Sequence, residues 1–519
     1  MKKKLIALIA LMLVCATMTG CVSTEGLKKV PQGERPAADV VFADLEPQFP
    51  SDTSVKNQLM MIATEVKTAQ DIDRMREKYD EFLYNAYIYV VGPYNFTSYC
   101  AADGHSMTVY YDNMINHMNT MLSEWEPTAW SAISEAEWGA QLKNEYASLM
   151  CTPESIRTVY PTSDETVSSQ LQNMYTARED FAAGVESAYA ESDKEMLLDD
   201  LFATRETIAN TLQYASYPEY VVVKRDKMPY DLESLLKLAQ LVKENLAPAV
   251  KAAQTTGAPD LSAQEWNEKL PALAQRFDDY EEDLLYVLNN GAYVVEEGVD
   301  EVASRHFAYQ LYQHDLSAGK AILAGDDTEA LHVLYGLGLE ARNMNLEQKQ
   351  WSMSTLALYD SVQENAFAAM CFNELDALGL DEAAKQQLVY LMAKDVCRAA
   401  MELEVLVELY KNPVMAQSDR EALVQELCEA YGVDGAEDFF EMSEDVLMGT
   451  LNCAGNMLGG LYGLTLHELD NRDSAAAEAV LAATLSVYNA DNPIAVGYAA
   501  GLGNPFSTDG IKAVAEMVK

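Results

Sequence analysis

The sequence predicts a mostly α-helical protein with at most a small β-sheet. Its 519 residues are 49% hydrophobic and 9% aromatic, enough to bury a large core in more than one lobe. Only 16 prolines and 26 glycines are spread over this length, which leaves room for long regular elements. Apolar residues recur at helical spacing over much of the chain, whereas β-prone runs are short. Helices therefore dominate the predicted fold.

Residues 1–20 have the pattern of an export signal. Three lysines at positions 2–4 precede an apolar run over residues 5–14 that is too short to span a bilayer, and small residues stand before Cys21. The pattern resembles a bacterial lipoprotein signal peptide, in which the cysteine after the cleavage site receives a diacylglyceryl group. The resemblance implies that Cys21 is the lipid-attachment residue and that the protein is anchored on the extracytoplasmic face of the cell membrane. Ordinary secretion with cleavage nearby is the alternative.

The remainder of the chain divides into three predicted regions. Residues 21–50 contain few apolar residues and four prolines, which is typical of a flexible tether behind the lipid anchor. Residues 51–200 are predicted to form an N-terminal helical lobe, and residues 201–519 a second helical region. The tether prolines are Pro31, Pro36, Pro47 and Pro50.

The charge balance excludes one class of partner. The chain has 36 basic and 81 acidic residues, for a formal net charge of −45. A phosphate backbone requires a positive field, so no nucleic-acid partner is expected. A heavily solvated exterior explains the acidity better than a specific cation site.

Cysteines give no sign of a metal-binding module. The chain has eight, of which Cys15 lies in the signal peptide and Cys21 is the predicted anchor. The other six are scattered without CxxC pairs, so neither a zinc ribbon nor a dense disulfide scaffold is indicated. Isolated disulfides remain possible in an exported protein, and their pairing is open.

Helix signals occur along nearly the whole chain. Asp231 is placed to cap a helix whose apolar stripe continues to Ala249, and two serine-to-glutamate pairs have capping-box spacing. The stripe consists of Leu235, Leu238, Leu241, Val242, Leu246 and Ala249, and the two pairs are Ser262 with Glu265 and Ser418 with Glu421. Strand signals are confined to short pieces such as residues 220–224 and 292–298.

The segment LFATRETIANTLQYASYPEYVVV, residues 201–223, resembles a characteristic segment of oligoendopeptidase F and other M3-family, thimet-like metallopeptidases. An arginine, an Ile-Ala pair and tyrosines spaced by three follow each other in the same order. Further along come the PAV of residues 248–250, a helix pair through Tyr286, a β-prone piece, a helix from Glu329, and a Pro-Phe before one last helix. The resemblance implies a two-lobed, clam-shaped helical fold with a central channel, and it is clearest over residues 200–519.

The chemistry of this family depends on an HExxH motif, whose two histidines bind zinc on one helix face while the glutamate activates water. In the order of elements, its place is taken by EALHVLYGLGLEAR, residues 329–342. If His332 stands for the first ligand, the base falls on Val333 and the second ligand on Gly336. If Gly336 matches the family's HExGH glycine, the ligands fall on Val333 and Leu337 and the base on Leu334. Both registers lack the base and at least one ligand.

Three positions remain as candidates for a vestigial site: His332, Asp360 and Glu364. Either carboxylate could take the place of the family's third ligand, but one histidine beside it is too few donors for a zinc site. The sequence therefore predicts no catalytic residue, no metal ligand and no zinc cofactor. A lone histidine on an apolar helix is more often a hydrogen-bonded core residue than a ligand.

Two other segments offer no replacement chemistry. The family's oxyanion-stabilising tyrosine and histidine would lie in residues 447–463, where Tyr462 is the one tyrosine and histidine is absent. His467 and Glu468 begin a sequence like HExxH, but the fifth position is Asn471, and the pair is predicted to lie on a solvent-facing helix surface. The G-x-S-x-G, P-loop and Rossmann glycine patterns are also absent from the sequence.

Three functions remain open on the sequence alone. The first is a non-catalytic, M3 peptidase-like lipoprotein that binds peptides or a protein partner. The second is an active oligopeptidase or other hydrolase with a rebuilt site that uses His332, Asp360 and Glu364. The third is a purely structural interaction module in which apolar side chains fill the channel.

The predicted anchor is directly testable. Metabolic labelling with palmitate should tag the wild-type protein and fail to tag Cys21→Ser, because the acyl chains are attached through this thiol. A label that persists in Cys21→Ser would place the modification elsewhere in the chain.

Overall fold

The structure is a computed structural model that describes residue 57 and, with short gaps, residues 173–519. The predicted signal peptide, Cys21, the tether and most of the N-terminal lobe lie outside the described residues, as do Cys100 and Cys151. The predicted channel between two lobes likewise involves residues beyond the described part.

The described chain is mainly helical, as predicted. From residue 191 to the sheet, the helices are α1 Glu191–Thr211, α2 Tyr217–Tyr220, α3 Leu232–Asn245, α4 Ala247–Ala252, α5 Ala263–Ala274 and α6 Glu281–Asn289. After the sheet come α7 Glu329–Asn345, α8 Met353–Cys371, α9 Glu382–Lys411, α10 Gln417–Tyr431, α11 Phe439–Met442, α12 Glu444–Met448, α13 Asn452–Asp470, α14 Ser474–Leu485, α15 Pro493–Ala500 and α16 Thr508–Val518. A short 3₁₀ helix, Leu375–Leu378, joins α8 to α9.

A small sheet lies between α6 and α7. Its strands are β1 Tyr293–Glu297, β2 Arg305–Leu311 and β3 Leu316–Leu323, in the order β1-β3-β2. Strand β1 runs parallel to β3, with Tyr293 opposite Gly319, and β2 runs antiparallel to β3, with His306 opposite Ala321. The strand prediction for residues 292–298 is confirmed by β1.

The closest helix packing in the core joins α8 to α13. A Cβ atom added to Gly459 would lie 2.5 Å from the carbonyl oxygen of Ser361, and one added to Gly463 would lie 2.6 Å from that of Asn365. Both neighbours are backbone atoms, which cannot rotate away. The two helices therefore approach each other at a distance that only glycine permits.

The helix starts predicted from capping residues are confirmed in two cases out of three. The Asp231 side chain accepts a hydrogen bond from the Ser234 amide at the start of α3, and Ser262 and Glu265 form a complete capping box on α5. The Ser418 prediction is wrong because α10 already begins at Gln417, which places Ser418 inside the first turn. The predicted stripe on α3 packs into the core, with Leu241 partly exposed.

The strand predicted over residues 220–224 is wrong. Ser216 accepts a hydrogen bond from the Glu219 amide and starts α2, with a proline in the first turn, and the chain continues into a π-helical turn, Val221–Arg225. The amide of Asp226 donates to the carbonyl of Val221 at 2.8 Å. The β-branched run favours a strand locally, but the capped helix start and burial of Val221 and Val222 override that preference.

The predicted final helix is present as α16, directly after the Pro-Phe pair. Within the described part of the chain, no helix combines the length and apolar character needed to cross a bilayer. The four described cysteines, Cys371, Cys397, Cys428 and Cys453, are buried free thiols.

The contact between α8 and α13 generates a stability prediction. Gly463→Ala should destabilise the protein by roughly 2 kcal/mol, because the new methyl group meets the Asn365 carbonyl and forces the helices apart. Urea unfolding measures the change. Gly503→Ala is the matched control, since a Cβ there meets no atom within 4 Å. Equal stability of the two variants would contradict the packing argument.

Candidate functional site

The candidate site is built on α7, the helix predicted from residues 329–342. Asp326 fixes its start, since this carboxylate accepts hydrogen bonds from the Ser304 amide at 2.6 Å and the Thr328 amide at 2.8 Å. Helix α7 packs against β2 and β3 on one side and against α8 on the other. The sheet and α8 therefore supply the side chains that face it.

The positions that would carry the zinc ligands and the base are filled with apolar packing. Val333, Leu334 and Leu337 have no exposed surface. The ring of Tyr293, from β1, lies over Gly336, where an added Cβ would be 2.6 Å from the phenol oxygen. That hydroxyl donates a hydrogen bond to the Val333 carbonyl at 2.7 Å. Burial raises the pKa of the Tyr293 phenol well above its usual value, so it is a neutral donor.

Two of the three predicted positions are joined by a residue that was not predicted. His306, on β2, has its Nδ1 atom 2.9 Å from Nδ1 of His332 and its Nε2 atom 3.1 Å from Oε2 of Glu364. The three side chains come from β2, α7 and α8. We call this row of side chains the histidine bridge. His332 is thus in hydrogen-bond contact with His306 through its Nδ1 atom.

Electrostatics define how the histidine bridge is protonated. Burial, together with repulsion from His306, lowers the pKa of His332 to about 3, so this imidazole is neutral near pH 7. A carboxylate only accepts hydrogen bonds, so the Nε2 atom of His306 donates to Glu364. The contact between the two Nδ1 atoms needs one hydrogen, which either imidazole can carry. Both contacts can therefore be satisfied as hydrogen bonds.

Other titratable groups surround the histidine bridge. The ring centroid of Tyr335 lies 5.6 Å from that of His306 and 6.0 Å from that of His332. Burial, reinforced by the charges of Asp395 and Glu364, raises the pKa of Tyr335 well above its usual value. Burial also raises the pKa of Asp395, on α9, to about 6. Perturbed groups of this kind are typical both of functional sites and of structural networks.

Asp360 does not join this group. It lies one turn before Glu364 on α8 and forms an ion pair with Arg342, near the C-terminal end of α7. The Arg342 side chain is largely buried, so the pair fixes the two helices at a point away from His332. Of the three predicted positions, the structure thus connects His332 and Glu364 and assigns Asp360 to a different contact.

The donor geometry does not fit a zinc ion. A four-coordinate zinc needs ligand atoms that point to one centre at about 2.0–2.2 Å. His306 instead directs its two nitrogens at different partners, so the donors of the histidine bridge lie in a row. The hydrogen bonds of the row already occupy both nitrogens of His306, which leaves neither lone pair free for an ion.

One other group of potential ligands converges within the described residues. Ligand atoms of Glu402, Asp445 and Cys453 lie within 4.8 Å of one another. Asp445 accepts hydrogen bonds from the amides of Asn452 at 2.9 Å and Cys453 at 2.8 Å at the start of α13. Glu402 accepts from the hydroxyl of Ser443. Burial, with both nearby carboxylates, raises the pKa of the Cys453 thiol well above its usual value. The group is explained by helix capping.

The remaining candidate side chains are enclosed. The Tyr462 hydroxyl is 2.5 Å from Oγ1 of Thr484, has no exposed surface, and has a pKa raised by burial to about 12. The prediction that His467 faces solvent is wrong, because its side chain is 1% exposed and packs edge-on against Phe372. Helix α13 is buried on most of its circumference, so His467 faces the core although it is a polar residue.

The arginine of the 201–223 segment has a structural role. Arg205 is 1% exposed and donates from Nη1 to the hydroxyl of Tyr410 at 3.1 Å and to the carbonyl of Val446 at 2.5 Å. It also donates to the carbonyl of Leu447, so it satisfies free carbonyls at the C-terminal end of α12. Tyr217 packs against Tyr410 with 5.0 Å between ring centroids.

Sequence reasoning missed His306 because it did not identify β2. The run RHFAYQL has aromatic residues at alternate positions, which is a strand signal. That signal could have placed a strand at residues 305–311. The strand signal does not tell which helix the strand packs against. The packing partner decides whether His306 contacts His332.

The described geometry has clear relatives among solved structures. A candidate oligoendopeptidase F from Bacillus anthracis matches with a TM-score of 0.63 at 11% identity, covering 92% of this chain and 97% of that one. PZ peptidase A with an inhibitor matches with a TM-score of 0.62 at 11% identity, covering 92% and 98%. A candidate peptidase from Chlamydophila abortus gives a TM-score of 0.52 at 11% identity, covering 95% and 97%. No family model and no curated protein matches the sequence.

These similarities define the class of fold. The protein has the fold of oligoendopeptidase F and related M3-type peptidases, with a helical body and a small three-stranded sheet. The fold expected from the sequence resemblance is confirmed. At this level of identity, the similarity shows the fold alone.

The buried acid beside the site predicts a pH dependence. The pKa of Asp395 rises from its ordinary value of 3.8 to about 6, so its ionisation opposes folding, and stability falls as the pH rises through this range. Asp395→Asn should stabilise the protein at pH 7.5 by up to about 3 kcal/mol, and by about half of that at pH 5. Urea unfolding of both proteins across this range measures the difference. A gain that does not change with pH would show that Asp395 ionises normally.

Proposed function

We propose that this protein is a membrane-anchored, extracytoplasmic, M3 peptidase-like protein that binds peptides or a protein partner without cleaving them. The observation that carries the proposal is that buried Val333, Leu334 and Leu337 occupy the zinc-helix positions, with the ring of Tyr293 over Gly336. A hydrolytic zinc site needs three protein ligands, an open position for water and a carboxylate base. The apolar replacements offer neither donors nor space for water.

The surroundings support the absence of zinc. Metal-binding histidines depend on partners that orient the free nitrogen toward the ion. In the histidine bridge, the partners orient the nitrogens toward each other and toward Glu364. The Tyr462 phenol, the tyrosine in the segment that would stabilise an oxyanion, is enclosed against Thr484. No cofactor is therefore proposed.

The binding role and location rest on two further arguments. The similar solved structures include a candidate oligoendopeptidase F and PZ peptidase A with an inhibitor bound, and these names support a role with peptides. A protein that keeps this fold but lacks the residues for zinc-dependent hydrolysis is suited to binding peptides without cleaving them. The lipoprotein-type signal and Cys21 support the proposed location on the extracytoplasmic face of the membrane, and the acidic charge disfavours nucleic acid.

One observation favours a second candidate, an active hydrolase with a rebuilt site. His332 and Glu364, both part of that hypothesis, are connected through His306, and a carboxylate-oriented imidazole is a common general base. The third expected member, Asp360, is paired with Arg342 instead. The candidate therefore rests on two imidazoles and one carboxylate, with no nucleophile beside them among the described residues.

The proposal predicts a protein free of zinc and without peptidase activity. The full chain, purified gently from membranes, should contain no stoichiometric zinc by elemental analysis and should leave a quenched-fluorescent peptide library uncleaved. Peptides that bind should raise its melting temperature, and the increase should grow with the logarithm of their concentration above the dissociation constant. One zinc per chain, with cleavage abolished by a chelator, would overturn the proposal.

A matched pair of variants separates the two candidates. His332→Ala removes an imidazole of the rebuilt site, whereas His467→Ala removes a buried histidine on α13. Cleavage lost in the first variant and kept in the second would establish the rebuilt site. No cleavage and no peptide binding by the wild-type chain would favour the purely structural module.

A further inference from the structure

We propose that the histidine bridge is a metal-free lock that fastens the small sheet to α7 and α8 at the position where this fold would hold an ion. The inference rests on the proposed absence of zinc. The donors present do not fit a zinc centre, yet they join β2 to the two helices, α7 and α8, on which the zinc ligands were expected. Hydrogen bonds therefore replace coordination bonds as the cross-link.

The first support is the placement of the three side chains. His306 belongs to β2, His332 to α7 and Glu364 to α8, and the contacts of 2.9 Å and 3.1 Å connect all three elements through one imidazole. Metal sites contribute to folding free energy because one ion holds several segments together. An imidazole with a partner on each nitrogen has the same connectivity, and it needs no ion.

The second support is the space made for His306. A Cβ atom added to Gly336 would lie 3.1 Å from Cβ of His306 and 2.6 Å from the hydroxyl of Tyr293. A larger residue at this position would push the sheet away from α7. Gly336 thus permits the close approach that brings His306 to His332, and Tyr293 fixes the same approach from β1 through its bond to Val333.

The third support is the strength expected of these bonds. The side chains of His306 and Glu364 are each 14% exposed, so water competes weakly for their contact. Hydrogen bonds to a carboxylate are about twice as strong as neutral ones, and removing one partner leaves a desolvated acceptor behind. The charged or ionisable neighbours are Arg305 on β2, Asp326 before α7, Tyr335 on α7 and Asp395 on α9.

A double-mutant cycle tests the lock in the full chain. His306→Phe and Glu364→Leu should each lower the melting temperature by about 2 °C or more. The double variant should melt at nearly the same temperature as the less stable of the two single variants. Glu364→Gln should retain most of the stability, because its amide oxygen still accepts from Nε2 of His306. Additive losses would overturn the lock.

The nearby ion pair provides the matched control. Asp360→Asn weakens the contact with Arg342 one turn away on α8 and should combine additively with His306→Phe, because the two contacts share no partner. Wild-type melting should also change by less than about 1 °C with added zinc or with a chelator. Zinc stabilisation of the wild type that disappears in His306→Phe would overturn the metal-free lock.

A spectroscopic measurement on the wild type covers the case in which the variants do not fold. The chain contains six histidines, so ¹⁵N labelling of histidine gives few signals to assign. The lock requires a hydrogen on Nε2 of His306 and one hydrogen between the two Nδ1 atoms of His306 and His332, and two unprotonated Nδ1 atoms would contradict it. Peptide cleavage with the lock intact would overturn the proposed function alone, so the two failures are distinguishable.

Discussion

The close approach of α8 and α13 is the contact on which the rest of the described structure depends. Gly459 and Gly463 allow α13 to lie directly on the backbone of Ser361 and Asn365, which fixes the position of α8 in the core. Glu364 lies in the same turn of α8, so its carboxylate has a defined place from which to reach the sheet. On the other side, the Cβ position of Gly338 on α7 lies 3.2 Å from the Glu364 carbonyl oxygen. Glycine contacts thus set the spacing of α7, α8 and α13.

This spacing favours packing over coordination. Helices in backbone contact leave little room for an ion and its water, and the side chains of α7 between them are mainly apolar and fully buried. A divalent ion in such surroundings would lose its hydration without gaining enough ligands. The phenol of Tyr293 fills the volume above Gly336 and satisfies a backbone carbonyl at the same time. The fold of a peptidase is therefore compatible with an interior that is stabilised by apolar packing and hydrogen bonds.

Several polar groups in this core make contacts between elements. His306 joins three elements, Arg342 pairs with Asp360 between two helices, and Arg205 satisfies the end of α12. Each places a strong donor where a buried acceptor would otherwise lack a partner. Such contacts define one arrangement of the helices, because a shifted helix would leave a buried charge or carbonyl unpaired. Specificity of packing is the property they share.

The sequence by itself determined the helical class, the caps at Asp231 and Ser262, the strand β1 and the absence of an HExxH motif, because periodicity, capping and motif spacing are local. It failed where tertiary contacts outweigh local preference. The β-branched run after Ser216 is helical because Ser216 caps the start of α2. His467 is buried in the core. Only the tertiary structure decided that His332 meets His306, since the packing of a strand on a helix brings together residues 26 positions apart in the chain.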